Sequence, residues 1–105
     1  MKNIVHVAIL DSGVDTQHKG LSNADITEYS YLDDGTGWQV TRQNNIQNGH
    51  GTAVAHVLYK NEKNVKITSF KIIEGSNEEA EPEVLIDALR YIYTHNDSCL
   101  LYTSP

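Results

Sequence analysis

The chain of 105 residues is short of the features that mark several protein classes. It has one cysteine, Cys99, so no intrachain disulfide framework exists. That usage fits a reducing compartment. No histidine lies in a motif beside Cys99, so it reads as a spare thiol rather than a nucleophile. Basic residues are also few. Lys and Arg number 8 against 14 Asp and Glu, a formal net charge of -6. The basic patch of a nucleic-acid binder is absent, so no nucleic-acid partner is expected. No apolar run approaches the ~18–20 residues that span a bilayer, so no membrane partner is expected. Met1-Lys2-Asn3 leads straight into the apolar segment Ile4 to Leu10, which Asp11 ends. A secretory signal needs a longer apolar core and a small-residue cleavage site. A cytoplasmic location is therefore expected.

Hydrophobic residues make up 39% of the chain, as in an ordinary soluble domain. Its length allows one small domain. Ile4 to Leu10 is short, branched and closed by the turn signal Asp11-Ser12-Gly13. It reads as a fully buried strand of a parallel sheet. Residues 12–49 are rich in Asn, Gln, Asp, Thr and Gly and predict a long loop. Within it, Ile26, Tyr29, Tyr31, Trp38 and Val40 are expected in short edge strands. Val54, Val57 and Leu58, with Ala53 and Ala55, predict a helix over about 51–60. Val65, Ile67, Phe70, Ile72 and Ile73 predict a second buried strand. Pro82 suits a first helical position. The stripe Leu85, Ala88, Leu89 and Ile92 predicts a helix core face running to about His95. Glu78, Glu79, Glu81 and Glu83 read as a solvated helix start rather than a metal cluster. Strand, loop, helix, strand, helix indicates an α/β fold with a parallel sheet.

Two segments carry chemistry. Asp11-Ser12-Gly13 follows a buried strand, and ligands gather at the carboxyl ends of parallel strands. Asn48-Gly49-His50-Gly51-Thr52 opens a helix. A buried carboxylate accepting from one ring nitrogen fixes the imidazole tautomer. The other nitrogen is then free to take a proton from a hydroxyl nucleophile. A helix N-terminus disfavours an imidazolium, and a carboxylate beside it offsets that. His50 therefore makes more sense with Asp11 next to it. Gly49 and Gly51 are expected to give a tight turn and room around the ring.

Asp11-Ser12-Gly13 after an apolar strand, followed by His50-Gly51-Thr52-x-Val54-Ala55, resembles the subtilisin-like serine peptidases. The likeness spans residues 3–96, with the chain order Asp, His, Ser. It implies a partial doubly wound parallel sheet with flanking helices, the N-terminal part of one peptidase domain. It implies Asp11 as the orienting carboxylate and His50 as general base and acid, acting on a peptide or protein substrate. Ser12, Gly13, Gly49, Gly51 and Thr52 support the two motifs. Ser12 reads as structural within the first.

The departures are as informative. The family's Gly-Thr-Ser-x-Ala segment and oxyanion-hole Asn are absent, so no serine here is the nucleophile. The chain by itself is expected to be inactive. Its tail from about 97 to 105 departs from the family pattern and reads as a non-native extension. Calcium-binding members carry an Asp where this chain has Gly20, so neither a metal nor a cofactor is expected. His56 stands where the family has a small Gly. His50 and His56 lie six apart, which does not suit a two-histidine metal site of i, i+4 spacing. Two strands and two helices leave the sheet uncovered, predicting instability and exposed apolar surface on helix 82–95 and strand 65–73. The alternative functions are a non-catalytic binding module or degenerate peptidase fold, and a phospho-acceptor domain using Asp11.

Overall fold

A computed structural model describes residues 4–32, 37–41, 49–73, 82–95 and 100–103. Strand β1 (Val5–Asp11) leads through a single 3-10 turn at Lys19–Leu21 to β2 (Asp25–Leu32) and β3 (Gly37–Thr41). Helix α1 (His50–Asn61), β4 (Val65–Lys71), α2 (Pro82–His95) and β5 (Leu100–Thr103) follow. The five strands among the described residues form one sheet in the order β3-β2-β4-β1-β5. β2, β4, β1 and β5 run parallel, and only β3 is antiparallel to its neighbour. The α/β arrangement expected from the sequence is present.

β1 shows why a buried parallel strand reads as a continuous apolar run. Its residues alternate between two cores. Val7 and Ile9 join Val65, Ile67 and Ala55 beneath α1. Ala8 and Leu10 join Phe70, Ala88 and Ile92 beneath α2. Leu10 lies opposite Phe70, and Phe70 opposite Tyr29. The Phe70 ring stacks on Tyr29 at 5.1 Å between centroids, and Trp38 meets it edge-on at the same distance. The helices thus cover opposite faces of the sheet, as a doubly wound fold requires.

Four expectations are corrected. β2 is an interior strand of eight residues, paired along β4, rather than an edge strand within a loop. Its polar residues hid its length and place, because Asp25, Thr27, Glu28 and Ser30 interrupt the apolar pattern. In α1, Val57 is 59% exposed while Ala55 is fully buried. Two residues along a helix turn through about 200°, so these two positions face opposite ways. In α2, Ala88 and Ile92 are buried, but Leu89 lies outside the core. Finally, α1 and α2 cover the two faces of β4, so Val65, Ile67 and Phe70 are buried rather than exposed. Exposed apolar side chains do occur on α2, at Ile86, Leu89 and Tyr93. Cys99, Glu78, Glu79 and Glu81 lie outside the described residues.

Candidate active site

β1 ends by delivering Asp11 into the interior at 1% exposure. Its two oxygens have different partners. Oδ1 accepts from the Ser12 amide at 2.7 Å. Oδ2 lies 2.5 Å from His50 Nδ1. His50 is the first residue of α1, so the carboxylate also sits at the positive end of that helix. The His50 side chain is 47% exposed and that of Asp11 only 2%. The Nδ1 edge of the ring is held by the buried carboxylate, and about half of the side chain is exposed. Sequence positions 11 and 50 therefore meet across the carboxyl end of the sheet.

The turn after β1 is stitched to the first turn of α1. Gly51 N–H donates to Ser12 Oγ at 3.3 Å, satisfying one of the amides a helix start leaves unpaired. Asp15 N–H donates to Thr52 Oγ1 at 2.9 Å. Gly13 takes a φ of 93°, a backbone conformation that favours glycine. Its carbonyl oxygen lies 2.3 Å from where a Cβ on Gly51 would stand. Gly51 is thus required by the backbone of Gly13. Beyond its chain neighbours a Cβ on Gly49 would meet nothing within 4 Å, so no close approach of this kind fixes Gly49.

A cleft of about 380 Å³ adjoins the pair, lined by Asp15, His18, Gly49, Thr52, Ala53 and His56. The His18 and His56 rings lie 5.7 Å apart. Among the described residues no group of three or more His, Cys, Asp or Glu is gathered to hold a metal. Gly20 does not fit the calcium ligand found there in some family members. It offers no oxygen from a side chain, and a Cβ on it would stand 2.7 Å from His56 Nε2. The two departures noted in the sequence are thus one: His56 fills the space that a side chain at position 20 needs. Gly20→Asp is expected to destabilise by about 1 kcal/mol, since the exposed His56 ring can yield. Adding His56→Ala, which removes the ring and keeps a good helix former within α1, should recover most of that loss in thermal unfolding.

Sequence reasoning missed Glu28. This side chain is 1% exposed, on β2 beneath α1. Its Oε2 accepts from the Val14 amide at 3.0 Å. Burial pushes its carboxyl up from 4.5 to about 7, against the opposing pull of Ser69, the Val14 amide and Lys71. Glu28 Oε1 and Ser69 Oγ are both buried, and neither closes a hydrogen bond among the described residues. The one available signal was parity. If 25–32 is a strand, Glu28 falls on the same face as Ile26.

The sign of the resulting pH dependence follows from linkage. The folded value lies above the unfolded one, so the neutral form favours folding. That stability is complete below about 4.5 and is lost as pH rises through about 7. Glu28→Gln is expected to unfold much like the parent at pH 4.5. At pH 8 it should be more stable, by up to about 3 kcal/mol at 1.36 kcal/mol per unit. Urea titrations at the two pH values measure the difference.

The Subtilase family profile matches residues 2–99. This chain belongs to the subtilase family. The major intracellular serine protease of Bacillus subtilis (strain 168) is 33% identical to this subtilase over 99 residues, covering 86% of the chain. The chain spans 30% of that relative's length. Membership accounts for the α/β sheet with helices on both faces and relates the chain to serine peptidases. Among the described residues, no helix of this subtilase is long and apolar enough to cross a membrane.

Proposed function

We propose that this chain is the N-terminal part of a serine endopeptidase domain. Asp11 orients His50, and His50 is the general base and acid. The nucleophilic serine comes from sequence beyond the segment present here. The observation that carries this reading is the 2.5 Å approach of His50 Nδ1 to the buried Asp11 Oδ2. With Nδ1–H donated to the carboxylate, Nε2 is left as the acceptor. It takes the proton of a serine hydroxyl as Oγ attacks a peptide carbonyl, then passes it to the departing amine. Water hydrolyses the acyl-enzyme, with His50 again as base. No metal or cofactor enters these steps. The substrates are peptides or proteins. The relative's description as intracellular supports a cytoplasmic setting.

Reading the frame beyond residue 105 tests the proposal, together with a fluorophosphonate probe. The protein with a Gly-Thr-Ser segment is expected to be labelled, and His50→Ala should abolish labelling. Residues 1–105 alone should remain unlabelled. A continuation without such a segment, or a folded full-length protein that resists the probe, would overturn the reading in favour of a binding module.

A further inference from the structure

Beyond the bonds within it, three side-chain hydrogen bonds among the described residues tie the turn that follows β1 to other elements. Two of them, through Ser12 and Thr52, reach α1. The third reaches the other way, from the Val14 amide to Glu28 on β2. We propose that Glu28 is a positioning residue for the Asp11–His50 pair, holding the turn through the Val14 amide so that Gly13 and Ser12 stay seated against the first turn of α1. The inference rests on the peptidase reading of that pair.

The geometry favours this over a purely structural role. A buried carboxyl is an expensive way to fill space. β2 does not pair with β1, because β4 lies between them. Glu28 thus links the Asp11 turn to a strand that the sheet alone would leave one place away. Val14 is itself fully buried, so its amide has no water to turn to if Glu28 is lost. Gly13, one residue earlier, makes the close approach to Gly51. A shift of Val14 therefore reaches the first turn of α1 through Gly13. Neutral or ionised, the carboxyl can accept from Val14. Lys71, beyond Ser69 on β4, is the cation acting on it, and its charge favours the ionised form.

The test is the NMR resonance of the His50 Nδ1–H proton, with hydrogen exchange at the Val14 amide, in the parent chain and its variants at pH 4.5, where Glu28 is neutral and Glu28→Gln matches the parent in stability. Asp11→Asn calibrates the signal by removing the carboxylate from His50. Glu28→Gln retains a carbonyl oxygen for Val14 and is expected to keep the parent exchange rate and His50 resonance. Glu28→Ala removes the acceptor. It should exchange the Val14 amide at least ~10-fold faster and move the His50 resonance toward that of Asp11→Asn. A Glu28→Ala variant that melts lower and leaves the His50 resonance where it was would overturn the proposal. If Glu28→Ala does not fold, Glu28→Met, which fills the same space without an acceptor, takes its place with the same two expectations. A His50 resonance displaced in Glu28→Gln despite its retained acceptor would overturn the role assigned to the hydrogen bond. If Asp11→Asn leaves His50 unmoved, the peptidase reading itself fails, separately from Glu28.

Discussion

Asp11→Asn should lower kcat by on the order of 10⁴ in the protein that carries the catalytic serine, with KM little changed. The reason lies in the two oxygens of Asp11. The substitution conserves shape, and its carbonyl oxygen takes over the bond that Oδ1 accepts from Ser12. The amide nitrogen is then left facing His50 Nδ1, where Oδ2 had been. An NH₂ group donates and does not accept. Nδ1 must become the acceptor, and the ring proton moves to Nε2. That tautomer has no lone pair for a serine hydroxyl. The defect is chemical, so unfolding midpoints should stay close to the parent's. Steady-state hydrolysis of a peptide substrate gives the measurement. A loss smaller than tenfold would show that Asp11 does not govern the tautomer.

Gly51→Ala is expected to be strongly destabilising although it adds a single methyl group. The new Cβ would stand 2.3 Å from the Gly13 carbonyl oxygen and 3.2 Å from its carbon. Both are backbone atoms, so no rotamer relieves the contact. Gly13 has little room to respond, because its φ of 93° is set by the turn. The turn and the helix must move apart. That strains the Ser12–Gly51 and Asp15–Thr52 hydrogen bonds and the Asp11–His50 contact together. Overpacking of this kind costs about 3 kcal/mol, and activity should fall with it. Gly49→Ala is the matched control. Its methyl group meets nothing within 4 Å, and the backbone there is φ -81°, ψ 5°. A change below about 1 kcal/mol is expected for it by urea unfolding. Equal losses from the two variants would refute the steric argument.

The parts legible in the sequence were those with a local cause. β1 announced itself because both its faces are buried. Asp11 and His50 stood out because glycines and small polar residues bracket each of them. Pro82 marked the start of α2. What escaped had causes elsewhere in the chain. β2 is held by backbone pairing to β4 and carries polar side chains, so Ile26, Tyr29 and Tyr31 hinted at a strand but not at its length or its interior place. Val57 and Leu89 are apolar, yet only the placement of each helix on the sheet decides that they face outward. Glu28 was hidden twice over, as a charged residue in a segment expected only as a short edge strand, with its partner 14 residues away.

The strand order also sets a sequence of events during synthesis. Among the described residues β1 pairs only with β4 and β5, both of which lie far downstream. When His50 leaves the ribosome, β1 has no neighbour and the Asp11 turn has nothing to rest on. β2 and β3 can close their hairpin alone, but β2 must still await β4 on its other side. Pairing across such long separations is slow. The Asp11–His50 pair is therefore assembled only once Lys71 has been added and β4 slides between two strands already made. Until then the nascent chain holds both residues but no site.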